Sequence, residues 1–214
     1  MKLYWHTQNN NSRLVLVFNG WGFDERILSA VDALPGTDIL LVYDYTTIEP
    51  QQLACVQRYA QVDLVAWSFG VFAANCCAEV LPVLNQCIAV NGTLQPVDDR
   101  YGIPRQIFQS TLQTYDEHNR KRFQMRLAGS ASAYKAMQEQ LPQRDVQNQL
   151  EELKALGQFF LTPPACRLNW TKAFVSNADK IFPPENMKAA WGELACVLDG
   201  EHHVDFARIL HELL

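Results

Sequence analysis

Short apolar runs, each stopped by glycine or asparagine, mark the first ninety residues. Residues 14–18 (Leu-Val-Leu-Val-Phe) lead into Asn19-Gly20-Trp21-Gly22. Residues 39–43 and 62–67 repeat the pattern, and residues 86–90 stop at Asn91-Gly92. Runs this short, with almost no polar alternation, predict strands covered on both faces. The segments between them, 24–33, 51–59 and 69–81, predict helices, with Asp24 placed to cap the first. Strands that alternate with helices in this way predict a parallel sheet. The pattern breaks near residue 97. From there to 165 no strand is evident. Residues 106–115, 118–128, 131–141 and 146–160 read as helices, and Pro163-Pro164 closes the block. Strands resume at 172–176 and 194–198, with a helix at 184–191 between them. A last helix at 205–213 carries Phe206, Ile209, Leu210 and Leu213 on one face. The expected organisation is an α/β core of residues 1–96 and 166–214, interrupted by a helical insertion at 97–165.

Composition narrows the possible functions. A chain of 214 residues with 48% hydrophobic and 19% charged side chains is neither disordered nor a coiled coil. No apolar run approaches the roughly 18 residues of a membrane span. Residues 1–11 lack a signal-peptide pattern, so the expected compartment is the cytoplasm. A net charge of −5 without a basic tail argues against nucleic acid. The six cysteines (Cys55, Cys76, Cys77, Cys87, Cys166, Cys196) form no C-x-x-C pair. They are expected to be reduced, mostly buried, and not to form a metal site.

The strongest chemical signal is the strand–turn–helix at Ala66-Trp67-Ser68-Phe69-Gly70. It matches the G-x-S-x-G nucleophile elbow with Ala in the first Gly position. The turn is so sharp that the residues two before and two after Ser68 must be small. A hydroxyl is a weak nucleophile and needs a base. Of the five histidines, His6, His118 and His211 lie away from the strand ends where such sheets place active sites. His202 and His203 follow the last strand, and either fits. Asp179, after the fifth strand, is placed to orient the base, giving the chain order Ser, Asp, His of an α/β-hydrolase. Asp63, Asp199 and Asp205 are rivals by proximity. The oxyanion of acyl transfer needs two N–H donors. Phe69, after the nucleophile, and Trp21, in the loop after the first strand, are in position.

Residues 18–23 (Phe-Asn-Gly-Trp-Gly-Phe), 66–70, 91–93 (Asn-Gly-Thr) and 102–104 (Gly-Ile-Pro) together resemble the BioG family of pimeloyl-[acyl-carrier protein] methyl ester esterases. The resemblance covers most of the chain. It implies an α/β-hydrolase-like, mostly parallel sheet with an inserted helical cap. It also implies Ser68 as nucleophile, Asp179 as acid and His203 in preference to His202 as base, with Trp21 and Phe69 at the oxyanion hole. The implied reaction is removal of the methyl group from a pimeloyl methyl ester carried by acyl carrier protein, in biotin biosynthesis, without metal or cofactor. Asn19 in place of a common His, and Ala66 in place of Gly, depart from the wider hydrolase pattern, but neither removes a reacting group.

Charge distribution points the same way. Residues 97–165 hold nine basic and eight acidic side chains, against nine and fifteen elsewhere. Arg120, Lys121, Arg122, Arg126 and Lys135 follow one another without an intervening acid. Such a stretch suits an acidic partner, which the resemblance identifies as the carrier protein, bound through Arg120, Lys121, Arg122 and Arg126. Phe108, Phe123, Met125, Leu127 and Tyr134 are candidates to line an acyl channel or to serve as ordinary helix core. The same triad also suits a thioesterase or a broad carboxylesterase. An inactive hydrolase-like binding module is a reading of a different class.

Overall fold

In the computed structural model, which describes residues 1–164 and 168–212, seven strands form one sheet. They are β1 (Lys2–Thr7), β2 (Arg13–Phe18), β3 (Thr37–Tyr43), β4 (Gln61–Trp67), β5 (Gln86–Val90), β6 (Lys172–Ser176) and β7 (Ala195–Leu198). Their order is β1-β3-β2-β4-β5-β6-β7, with β1 antiparallel to β3 and every other pair parallel. The fold is α/β-hydrolase-like. Cys166, Leu213 and the expected boundary at 165/166 lie outside the described residues.

Central strands read as apolar runs because helices cover both faces. Leu14 through Phe18 and Ile39 through Val42 have no exposed surface. The first strand, β1, is absent from the sequence reading. It is an edge strand whose alternating exposure and mixed composition give no apolar run, and its register slips between Trp5 and Thr7. Two expected helices are instead 3-10 turns, Glu25–Leu28 and Pro50–Arg58. Asp24 caps the first, its side chain accepting from the Arg26 N–H. The helix after Ser68 is divided into α1 (Gly70–Cys76) and a 3-10 turn at Ala78–Val80.

Between β5 and β6 lie α2 (Arg105–Thr114), α3 (Glu117–Ala128), α4 (Ala131–Ala136) and α5 (Val146–Phe159). Side-chain caps begin three of them: Asp116 accepts from Asn119 N–H, Ser130 from Ala133 N–H and Asp145 from Asn148 N–H. On α5 the buried residues are Gln149, Glu152, Leu153 and Leu156, one face at helical spacing with two polar members. Helices α6 (Pro184–Trp191) and α7 (Phe206–Glu212) flank β7. No helix among the described residues is long and apolar enough to cross a membrane.

Parallel pairing aligns the carboxyl ends of the central strands. Phe18 pairs with Ala66 and Trp67 with Val90. Just beyond them, Asn19 N–H donates to Val42 O (2.9 Å), Ser68 N–H to Val90 O (2.9 Å) and Asn91 N–H to Phe174 O (3.0 Å). Chain connections leave β2 and β4 toward opposite sides of the sheet, so a crevice opens at this point.

Candidate active site

Ser68 occupies that crevice with φ +58°, in the left-handed region that a side chain rarely adopts. The strain follows from the tightness of the turn. Ala66 is fully buried, and a Cβ on Gly70 would fall within van der Waals contact of the carbonyl oxygens of Phe18 and Asn19. Glycine at 70 therefore lets α1 start against the end of β2.

The Ser68 hydroxyl lies 3.0 Å from Nε2 of His202, and Nδ1 of His202 lies 2.7 Å from Oδ2 of Asp179. The second oxygen of Asp179 accepts from the N–H groups of Ile181 (2.7 Å) and Phe182 (2.9 Å). An acceptor-only carboxylate requires Nδ1 of His202 to carry the proton, which leaves Nε2 free to accept from Ser68. All three side chains are buried.

This arrangement corrects the assignment of His203. His202 is 1% exposed and faces the crevice. His203 turns away toward a surface groove lined by Asp199, Asp205 and Arg208, with its ring edge-on to Trp67. Its backbone N–H donates to Leu127 O (3.2 Å), and burial, aided by the charge of His202, lowers its pKa to about 4. The reason is local. After β7 the chain alternates, with His202, Val204 and Phe206 buried while Asp205 is exposed and His203 only partly covered. Two-residue periodicity anchored on Val204 and Phe206 was the available signal for His202; spacing from Gly200 was not.

The rival carboxylates are engaged elsewhere. Asp63 is fully buried against Arg13 (2.7 Å) and Asn85 (2.7 Å). Asp199 accepts from Asn177, and Asp205 caps α7 by accepting from Arg208 N–H.

Three further residues hold the histidine, and no role for them was evident beforehand. The Trp67 indole donates to the carbonyl of His202 (2.9 Å). Asn91 Nδ2 donates to the same carbonyl (3.0 Å) and to Ser176 Oγ (2.9 Å), while Asn91 Oδ1 accepts from Ser176 N–H (2.8 Å). Phe182 lies parallel to the imidazole, ring centroids 5.9 Å apart. Asn91 ends an apolar strand, where asparagine also serves as an ordinary turn residue, so its second use left no separate trace in the sequence.

Trp21 and Phe69 flank Ser68. Among the described residues, neither backbone N–H donates to a protein acceptor. Above Ser68 lies a narrow cavity of about 30 Å³, with Trp21, Phe69, Ile103, Phe108, Phe123 and Leu127 in its wall. Phe108, Phe123 and Leu127 thus line the space above Ser68 and at the same time pack in or against the core. Met125 is partly exposed on α3 and Tyr134 packs against the core, both outside the cavity wall. Thr111, Phe123 and Arg126 are shared with a polar groove of about 430 Å³ between α2 and α3, which also carries Ser110, Thr114, Asn119 and Arg122.

The basic stretch divides in two. Arg120 is half-covered and tied down, pairing with the exposed Glu117 (2.7 Å) and donating to the Arg144 carbonyl (3.2 Å). Lys121, Arg122 and Arg126 are exposed. Arg126 lies over the Phe123 ring at 5.8 Å, at the mouth of the cavity.

The family model described as pimeloyl-ACP methyl esterase BioG matches residues 1–212. The chain belongs to the BioG family. Its similarity to the crystal structure of BioG from Haemophilus influenzae extends over 95% of this chain and 94% of that one, at 31% identity and a TM-score of 0.86. An esterase from Exiguobacterium antarcticum shares the fold alone, at 13% identity and TM-score 0.69, over 98% of this chain and 92% of that one. A curated relative from Bacteroides fragilis, named malonyl-[acyl-carrier protein] O-methyltransferase, is 38% identical over 207 residues, 94% of this chain. This BioG-family chain spans only 41% of that relative's length.

Proposed function

We propose that this protein is a serine carboxylesterase that hydrolyses the methyl ester of pimeloyl-[acyl-carrier protein], with Ser68, His202 and Asp179 as its catalytic residues. The observation that carries the reading is the unbroken hydrogen-bonded relay from Ser68 through His202 to Asp179, beneath an apolar cavity, in a chain of the BioG family.

The chemistry follows the relay. His202 Nε2 takes the proton from Ser68 as Oγ bonds to the ester carbonyl carbon. The N–H groups of Trp21 and Phe69 stabilise the charge that forms on the carbonyl oxygen. Collapse breaks the bond to the methoxy oxygen, which leaves as methanol with the proton from Nε2. A water then attacks the acyl-enzyme and gives its proton to Nε2. Ser68 leaves with that proton, and the free ω-carboxylate remains on the carrier. Asp179 keeps the imidazole in the required tautomer and stabilises its charged form.

The cavity wall is apolar like an acyl chain, and at about 30 Å³ the cavity has to widen to admit one; the polar groove that shares Thr111, Phe123 and Arg126 with it suits the hydrophilic arm on which a carrier protein presents that chain. Lys121, Arg122 and Arg126 would meet the acidic carrier at the groove. Arg120 would contribute through the fold of α3. Methyl transfer to a carrier-bound carboxylate, the activity named for the Bacteroides relative, makes the class of ester that this site would open.

The test is an assay on methyl pimeloyl-[acyl-carrier protein], which contains both an ester and a thioester. Methanol and pimeloyl-carrier are the expected products. Monomethyl pimelate and free carrier would identify a thioesterase instead. No cleavage, together with failure of a phosphonate to label Ser68, would leave only a binding module.

A further inference from the structure

The Trp21 N–H shares a rigid peptide plane with the Gly20 carbonyl. That carbonyl accepts from Phe23 N–H at 3.4 Å, so the direction of the Trp21 donor follows the turn Gly20–Phe23. The third residue of the turn, Gly22, has φ +79°, a value that glycine supplies without strain.

Among the described residues, every hydrogen bond to this turn from outside its loop comes from α5 or the residues just before it, while the rings of Tyr115, Phe123 and Trp67 pack on its two aromatic side chains. Gly22 N–H donates to Glu152 Oε2 (3.0 Å), and the Gly22 carbonyl accepts from Gln149 Nε2 (2.8 Å). The Trp21 indole donates to the Gln149 carbonyl (2.7 Å), and the Phe23 carbonyl accepts from Arg144 (3.2 Å). The two α5 side chains are themselves held. Glu152 also accepts from Tyr45 N–H (2.8 Å) and pairs with Arg144 (2.7 Å), and Gln149 accepts from the Tyr115 hydroxyl (2.8 Å). Both are buried to 1% exposure or less. Leucine at either position would cover the same surface without the cost of desolvating a polar group. At 149 it would leave the Gly22 carbonyl, and at 152 the Gly22 N–H, short of its partner.

We propose that Gln149 and Glu152 are positioning residues for the reaction at Ser68, gripping the Gly20–Phe23 turn from α5 so that the Trp21 N–H faces the developing oxyanion. The inference rests on the esterase reading and adds that the helices between β5 and β6 complete the oxyanion hole as well as covering it.

Gln149→Met keeps the side-chain volume and removes the donor to Gly22. On p-nitrophenyl butyrate, kcat should fall about tenfold, less than the 10²–10³ for removing a donor outright, while KM stays within about twofold. The inhibition constant of a trifluoromethyl ketone, whose adduct with Ser68 carries an oxyanion, should rise by the same factor as kcat falls. A wholly structural role would not link those two quantities. Unchanged kcat, or a fall in kcat with undiminished ketone affinity, would overturn the proposal. If Gln149→Met does not fold, Tyr115→Phe, which releases the Gln149 carboxamide at one end only, carries the same comparison at smaller amplitude. Wild-type protein inert toward both the small ester and the carrier-bound ester would overturn the esterase reading instead.

Discussion

The indole of Trp67 donates to the backbone carbonyl of His202 across 2.9 Å, so the residue before Ser68 holds the histidine that faces its hydroxyl. Substituting Trp67 by Phe removes this bond and leaves Asn91 as a donor to the same oxygen. A fall in kcat of about fivefold, equivalent to about 1 kcal/mol, is expected. Asn91→Ala also releases Ser176 and should cost more. Steady-state kinetics on a small ester, beside thermal melts, would separate lost alignment from lost fold.

The two neighbouring histidines should differ sharply. His202→Ala is expected to lower kcat by about 10³-fold or more, because the hydroxyl loses its base. His203→Ala should keep activity near wild type. Equal losses in the two variants would contradict the assignment.

His203 also predicts a pH effect on stability. Its folded pKa is lowered to about 4 from an ordinary 6.5. Between those values the unfolded chain binds the proton that the folded chain excludes, so stability is present above pH 6.5 and declines as pH falls toward 4. His203→Phe should flatten this part of the melting-temperature profile. A variant profile parallel to wild type would show that the imidazole is not the cause.

Reversing the exposed cations tests the carrier surface. Arg122→Glu with Arg126→Glu should abolish most turnover of the carrier-bound ester and leave hydrolysis of a small ester largely intact. The loss should also shrink as salt screens the charges. Equal losses on both substrates would place these residues in the fold or the chemistry.

Gly70→Ala is expected to destabilise strongly, by about 3 kcal/mol or more, because the added methyl meets the backbone of β2 and no flexible side chain is there to move aside. Chemical denaturation would measure it.

Much of this was legible in the chain. Buried strands such as 14–18 and 86–90 announce themselves because both faces are apolar, and the elbow at Ser68 is legible because its geometry restricts residues 66 and 70 to small side chains. The edge strand β1 was not legible, since half its surface is solvated. The choice between His202 and His203 turned on alternation in an irregular loop. Lys121, Arg122 and Arg126 are exposed as a basic run suggests, but Arg120 is half-covered and tied down by Glu117 and the Arg144 carbonyl, a choice of rotamer and neighbour that charge counting does not contain. The contacts of Gln149 and Glu152 with Gly22 were hidden because their partners there are backbone atoms, which leave no mark in a sequence.

Those partners stand 127 and 130 positions away from the side chains that hold them. The loop and the helix are therefore spelled in distant parts of the gene but must change together. A set of helices borrowed from another protein of this fold and grafted between Val90 and Lys172 would arrive without the two groups that Gly22 requires. Exchanging lids to alter substrate range in this enzyme class would then have to carry the grip along with the cover.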